Sequence, residues 1–211
     1  MMVKPILFNT EMVQAILDGR KICARKLVRF LSGKNPNWTG YVKDGNMLYN
    51  GTNEPCIKPP YQAGDILYVR ETFIQAAAHI FWYKAGNNSW MSESESLRWK
   101  SPIHMPKEAA RIWLKVTNVR VERLQEITED HTEEEGFLFA PPCLHMTGEN
   151  YCDIDGPCTS EIKYCDMSYG ELFGEVLWNN TIKKSDLDRY GWNANPWVWV
   201  IEFEKCEKPK E

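Results

Sequence analysis

Residues 111–124 read RIWLKVTNVRVERL, and the fold is decided outward from them. Ile112, Leu114 and Val116 alternate with Trp113, Lys115 and Thr117, the period-2 pattern of a strand with one buried face. A second such strand lies at 196–205, PWVWVIEFEK, with Trp197, Trp199, Ile201 and Phe203 on one side. In GDILYVRETF (64–73) a Gly-Asp turn feeds the β-prone run Ile66 to Val69. IFWYKA (80–85) is another, and the Gly86-Asn87-Asn88 turn after it predicts a hairpin. Residues 33–63 are rich in Gly, Pro and Asn and read as turns with one short hairpin. Thr128 offers an N-cap to a short helix over 129–135 closed by Gly136. GELFGEVLWNNTI (170–182) reads as a helix with Leu172, Phe173, Val176 and Leu177 inward. Helical crossovers at regular spacing are missing, which argues against a doubly wound sheet. The expected class is α+β, a small mixed β-barrel with peripheral helices, formed by 1–211 as a single domain.

The stretch TEMVQAILDGRKICARKLVR (10–29) carries the charge that a functional reading needs. Met12, Val13, Ile16 and Leu17 make one helix face, Thr10 is placed to cap it, and Gly19 suits a left-handed C-terminal position. Arg20, Lys21, Arg25, Lys26 and Arg29 follow. Cations beyond a helix C-terminus are favoured by the macrodipole alone, so the cluster has a purely structural reading as well. The net charge of −4 hides an asymmetry: residues 1–127 hold 18 Lys and Arg against 11 Asp and Glu, and residues 128–211 hold 7 against 18. Such a chain suits a compact, specific anion site better than a wide nonspecific nucleic-acid groove. No apolar run approaches the ~20 residues of a membrane span. MMVKPILFNT lacks the zones of a signal peptide, so a cytoplasmic location without membrane partners is expected.

Arg70 and Glu71 end the GDILYVRE run, where an Arg can grip an anion bidentately or form a surface pair with its neighbour. Trp38 and Trp192, flanked by Asn, Pro and Gly, are the candidates for base stacking, worth ~1–3 kcal/mol per base. His131, four residues before Glu135, shares its helix face. His104 and Met105 sit in a proline-flanked turn. Residues 138–168 form a Cys-rich insertion containing Cys143, Cys152, Cys158 and Cys165. A structural zinc, free thiols and disulfides are the three readings of this set; paired CxxC spacing is missing, and a reducing cytosol disfavours disulfides.

LDGRKICAR (17–25), GDILYVRE (64–71), KVTNVRVERLQEITEDHTEEEGF (115–137) and NPWVWVIEFE (195–204) together resemble the ASCH family, a PUA-like β-barrel superfamily associated with RNA. KPILFNTEMVQAILDGRK and SPIHMPKEAARIWL are similar to the longer ASCH-domain proteins of phages and prophages. The resemblance covers most of the chain outside 138–168. It implies a barrel mouth that binds RNA or a modified nucleoside or nucleotide, with Lys21, Arg25 and Arg70 supplying charge. Glu71 and Glu135 would serve as hydrogen-bonding groups, and no cofactor is required. In relatives that hydrolyse acetylated cytidine, a Lys and a Thr of the first motif act with a Glu. By position these are Lys21 and Glu135, but Ala24 stands at the Thr and Ile22 at a second family Thr. Alanine cannot attack a carbonyl, so an enzyme of this kind, amidohydrolase or ribonuclease, would need Lys21 and Glu135 to work on a bound water. Binding without chemistry is the primary expectation. A third reading makes the barrel a scaffold and 138–168 the surface that captures a host protein.

Overall fold

In the computed structural model, residues 2–29, 41–43, 47–49, 55–86, 98–136 and 167–209 are described. Trp38, Cys143, Cys152, Cys158 and Cys165 lie outside them. Among the described residues there are ten strands: β1 (Val3–Leu7), β2 (Cys23–Leu27), β3 (Tyr41–Lys43), β4 (Met47–Tyr49), β5 (Pro55–Ile57), β6 (Ile66–Arg70), β7 (Phe73–Ala77), β8 (Ile80–Tyr83), β9 (Trp113–Arg123) and β10 (Trp197–Cys206). They form a five-stranded sheet of order β1-β6-β9-β10-β2, a three-stranded sheet β3-β4-β5 and a two-stranded sheet β7-β8. β1 runs parallel to β6, with Val3 opposite Ile66, and β6 runs antiparallel to β9, with Leu67 opposite Leu114. The class is therefore mixed α+β with peripheral helices.

The alternation in β9 changes phase. Leu114 and Val116 are buried, Thr117 and Asn118 are both exposed, and burial resumes at Val119 and Val121. A one-residue shift of this kind turns the buried face over along a strand. β10 is buried more completely than its pattern predicts, because Val198 and Val200 are as inaccessible as Ile201. It lies between β9 and β2, so a central strand buries both faces. β8 pairs back onto β7, Phe73 opposite Tyr83, and His79 takes the left-handed conformation (φ 63°) in the connection; the hairpin expected at Gly86-Asn87-Asn88 falls on residues 87–97, outside the described ones.

Helix α1 (Thr10–Leu17) is capped one residue before the expected position. Asn9, not Thr10, is the N-cap, its side-chain oxygen accepting from Met12 N–H at 2.8 Å. Asparagine before a first-turn Thr wins because its carboxamide reaches the third amide without entering the helix. Val13 and Ile16 are buried as expected, whereas Leu17 is exposed. Gly19 has φ +80°, the left-handed stop that the sequence predicts.

Among the described residues no backbone ladder joins β1 to β2, so the sheet is not the closed barrel expected. Side chains nevertheless bring its two outer strands together. Lys26 Nζ of β2 donates to the Tyr61 hydroxyl at 2.9 Å, and that hydroxyl donates to the Pro5 carbonyl of β1 at 2.7 Å. Phe8, just beyond β1, packs against Phe203 of β10 with ring centroids 6.2 Å apart. In a flat sheet the first and fifth strands would stand ~19 Å apart. The five strands must therefore curl strongly, leaving a seam closed by side chains. At this seam burial lowers the Lys26 pKa and pushes Tyr61 up to about 12.

The chain divides into two compact units. Met1–Lys26, Thr39–Val121 and Trp199–Glu211 form the first, and Leu27–Trp38 with Glu122–Val198 form the second. The first contains the seam just described. In the second, α2 (Glu129–Glu134) is capped by Thr128 and stopped by Gly136 (φ +76°), both as expected. The helix expected over 170–182 is interrupted: α3 (Tyr169–Leu172) passes into a π-helical stretch, Phe173–Trp178, and then α4 (Asn179–Thr181). This widened turn puts Trp178 inside and leaves Val176 and Leu177 half-buried. A Cβ on Gly174 would overlap the Trp192 ring, so only glycine allows that indole to seat against the helix. The short α5 (Leu187–Tyr190) follows, its last carbonyl group accepting from Trp178 Nε1 at 2.8 Å.

Candidate functional site

The site is assembled where β1 and β6 end side by side. Phe8 N–H donates to the Arg70 carbonyl at 3.1 Å, which fixes the residue after β1 beside the end of β6. After Gly19 turns the chain, the amides of Arg20 and Lys21 both donate to the Ala15 carbonyl, at 2.9 and 3.0 Å. Lys21 is thereby delivered with its ammonium 5.6 Å from the centroid of the Phe8 ring. Only 2% of Lys21 is exposed, while its neighbour Ile22 is 46% exposed. This inverts the ordinary partition, since a buried ammonium is costly and an exposed isoleucine gains nothing.

The five cations of the 20–29 cluster consequently do not act together. Arg20 pairs with Asp18 at 2.9 Å near solvent, Arg25 is buried, Lys26 serves the seam and Arg29 is exposed. Alternation along β2 separates them, because successive side chains of a strand point to opposite faces. Ala24 is buried, 4% exposed.

Arg70 and Glu71 do not pair with one another. The Arg70 Nη2 donates to the Ile103 carbonyl, and its Nε is buried without a hydrogen-bond partner among the described residues. Glu71 is 1% exposed and receives both Arg111 Nε and Nη2 at 2.9 Å. Its amide donates to the Met105 sulfur at 3.1 Å, which gives the buried Met105 of the proline-flanked turn a bracing role. Glu71, expected as a ligand group, is committed to this bidentate pair; the reason is geometric, since Arg111 enters β9 antiparallel to the end of β6. Sequence reading missed Arg111. The signal available was its place one residue before the alternating run.

Glu135 belongs to the second unit, whereas Lys21 belongs to the first. Glu135 is the C-cap of α2 and 6% exposed. His131 Nδ1 lies inside the same unit. Trp192, expected as a stacking residue, is 7% exposed and wedged on Gly174, so most of its ring is used in packing. A cavity of about 440 Å³ in that unit is walled by Glu175, Asn179, Asp188 and Trp192 and includes no Lys or Arg.

Among the described residues no cluster of His, Cys, Asp or Glu is arranged to hold a metal, and no helix is long and apolar enough to cross a membrane. No protein-family model, curated protein or solved structure matches the chain.

Proposed function

We propose that the protein binds single-stranded RNA or a nucleoside or nucleotide at the end of the curled sheet, around Lys21, Phe8 and Arg70. This is also the reading that the likeness to ASCH, PUA-like proteins implies, with the side-chain-closed seam taking the place of a continuous barrel wall. The observation that carries it is Lys21. Lys21 is almost wholly buried at the end of β1 while the adjacent Ile22 is half exposed, and a charged group held in place in this way is a candidate for ligand contact. Arg70, set beside Phe8 by the β1–β6 ladder, adds a second cation within reach of the same ligand.

The experiment is titration of the protein with labelled oligouridine and, separately, with free cytidine. Saturable binding is expected, weakened by about tenfold in Lys21→Met and by a smaller factor in the half-buried Arg70→Gln, in line with ~1.5–3 kcal/mol for a charged hydrogen bond. Binding that survives both substitutions removes the site assignment. Catalysis is the second reading, which the likeness to relatives that hydrolyse acetylated cytidine implies through Lys21. Turnover of an acylated cytidine by the parent, abolished in Lys21→Met, would establish it. Turnover gained only in Ala24→Thr would leave the parent a binder.

A further inference from the structure

Arg111 occupies an unusual position for a charged side chain. Its guanidinium carbon lies over the Tyr83 ring, 4.3 Å from the centroid. One edge is taken by the two 2.9 Å bonds to Glu71, which stop the plane from rotating. The side chain is still 31% exposed. Among the described residues its hydrogen-bond, ion-pair and ring contacts are those with Glu71 and Tyr83, which leaves the side of the guanidinium away from the ring for a ligand. The platform beneath is rigid. The Tyr83 hydroxyl donates to the Ala109 carbonyl at 2.6 Å, and Tyr83 packs on the buried cluster of Phe73, Met105 and Ala109. Glu71 directly follows Arg70, at the end of β6.

We infer that Arg111 is a stacking platform for a nucleobase, a role that rests on the RNA or nucleotide reading and adds a contact residue to it. A base laid on the open face would extend the stack begun by Tyr83 and Arg111. Guanidinium planes are among the surfaces on which unstacked bases settle. The alternative partner for an arginine is a phosphate, but Glu71 already balances this charge and holds the edge that grips oxyanions bidentately. What remains available is a flat, fixed π-type face, which suits the uncharged ring and not the backbone anion.

The test compares two RNAs of equal length, an oligouridine and its abasic counterpart, which keeps sugars and phosphates and lacks bases. Arg111→Lys preserves the positive charge opposite Glu71 and removes the planar face; Tyr83→Phe preserves the ring under it. Arg111→Lys should weaken oligouridine binding about tenfold and leave the abasic strand unchanged, the loss expected of one stacked base. Tyr83→Phe should bind both as the parent does. An equal loss on the two strands for Arg111→Lys assigns the residue to charge alone and overturns the inference while the RNA reading stands, as does an unaltered affinity for both. A parent protein that binds neither strand nor free nucleoside overturns the RNA reading and this role with it. Thermal melts of the variants show whether each is folded, and Tyr83→Leu, which removes the supporting ring, supplies an independent variant expected to lose the base-dependent increment.

Discussion

Gly174 and Trp192 show how a single atom decides where a large side chain goes. The indole occupies the volume that a Cβ at position 174 would need, so the ring is seated in the second unit. Gly174→Ala should cost at least the ~1–3 kcal/mol of ordinary overpacking, read as a lowered urea midpoint with an unchanged slope. An unaltered midpoint would mean that the π-helical stretch can yield to admit the methyl group. Lys21 illustrates the opposite limit of sequence reading. Its type and its place after Gly19 mark it as a candidate, but its near-complete burial against Phe8, with Ile22 left exposed, depends on where β1 ends and not on its own segment.

Helix α1 is an element specified almost wholly by its own residues. Asn9 opens it, Val13 and Ile16 seat it, and Gly19 ends it. Asn9→Ala should destabilise the protein by about 1 kcal/mol, and Thr10→Ala by much less, because only Asn9 bonds a first-turn amide. Equal losses, measured by chemical denaturation, would assign the cap to both residues. The 170–182 helix is the contrasting case. Its apolar spacing predicts a regular α-helix, and the widened turn at Phe173–Trp178 replaces the expected inward set with one that includes Trp178. Local spacing cannot anticipate that change, since what selects it is an indole at position 192. The β7–β8 hairpin likewise rests on pairing, with Phe73 opposite Tyr83 across the short Ala78-His79 connection.

At the scale of the molecule, the curl of the five-stranded sheet rests on a seam where charged and polar groups are partly buried. Lys26 of β2 and Lys4 of β1 both lie over the Tyr61 ring, at 4.8 and 5.8 Å, and Asp65 holds Lys4 at 2.7 Å. These groups give the seam an alkaline signature. The Lys26 pKa is lowered from 10.5 by burial, so the unfolded chain binds more protons in the interval below 10.5 and stability rises with pH there. Tyr61 is raised from 10.0 to about 12, so the folded chain keeps its proton longer and stability falls as pH passes from 10 towards 12. Stability should therefore pass through a maximum near pH 10 in denaturation experiments run across the alkaline range. Tyr61→Phe should flatten the fall above it and Lys26→Met the rise below. A profile unchanged by either substitution would show that the seam opens without cost.

The sequence by itself determined the mixed α+β class, the strands at 113–123 and 197–206, the caps at Thr128, Gly136 and Gly19, and the candidacy of Lys21 and Arg70. These are matters of periodicity, turn chemistry and residue type, which act over a few positions. Tertiary structure alone decided which cations became available, that Glu71 answers to Arg111 instead of Arg70, that Trp192 is core, and that β1 and β2 meet through Lys26, Tyr61 and Pro5. The pairings that decide them reach beyond a single element, up to 40 positions for Glu71 with Arg111 and 56 for Tyr61 with Pro5. The partner that satisfies a buried charge or fills a missing Cβ is set by which strands the sheet places side by side, and no local pattern contains that information.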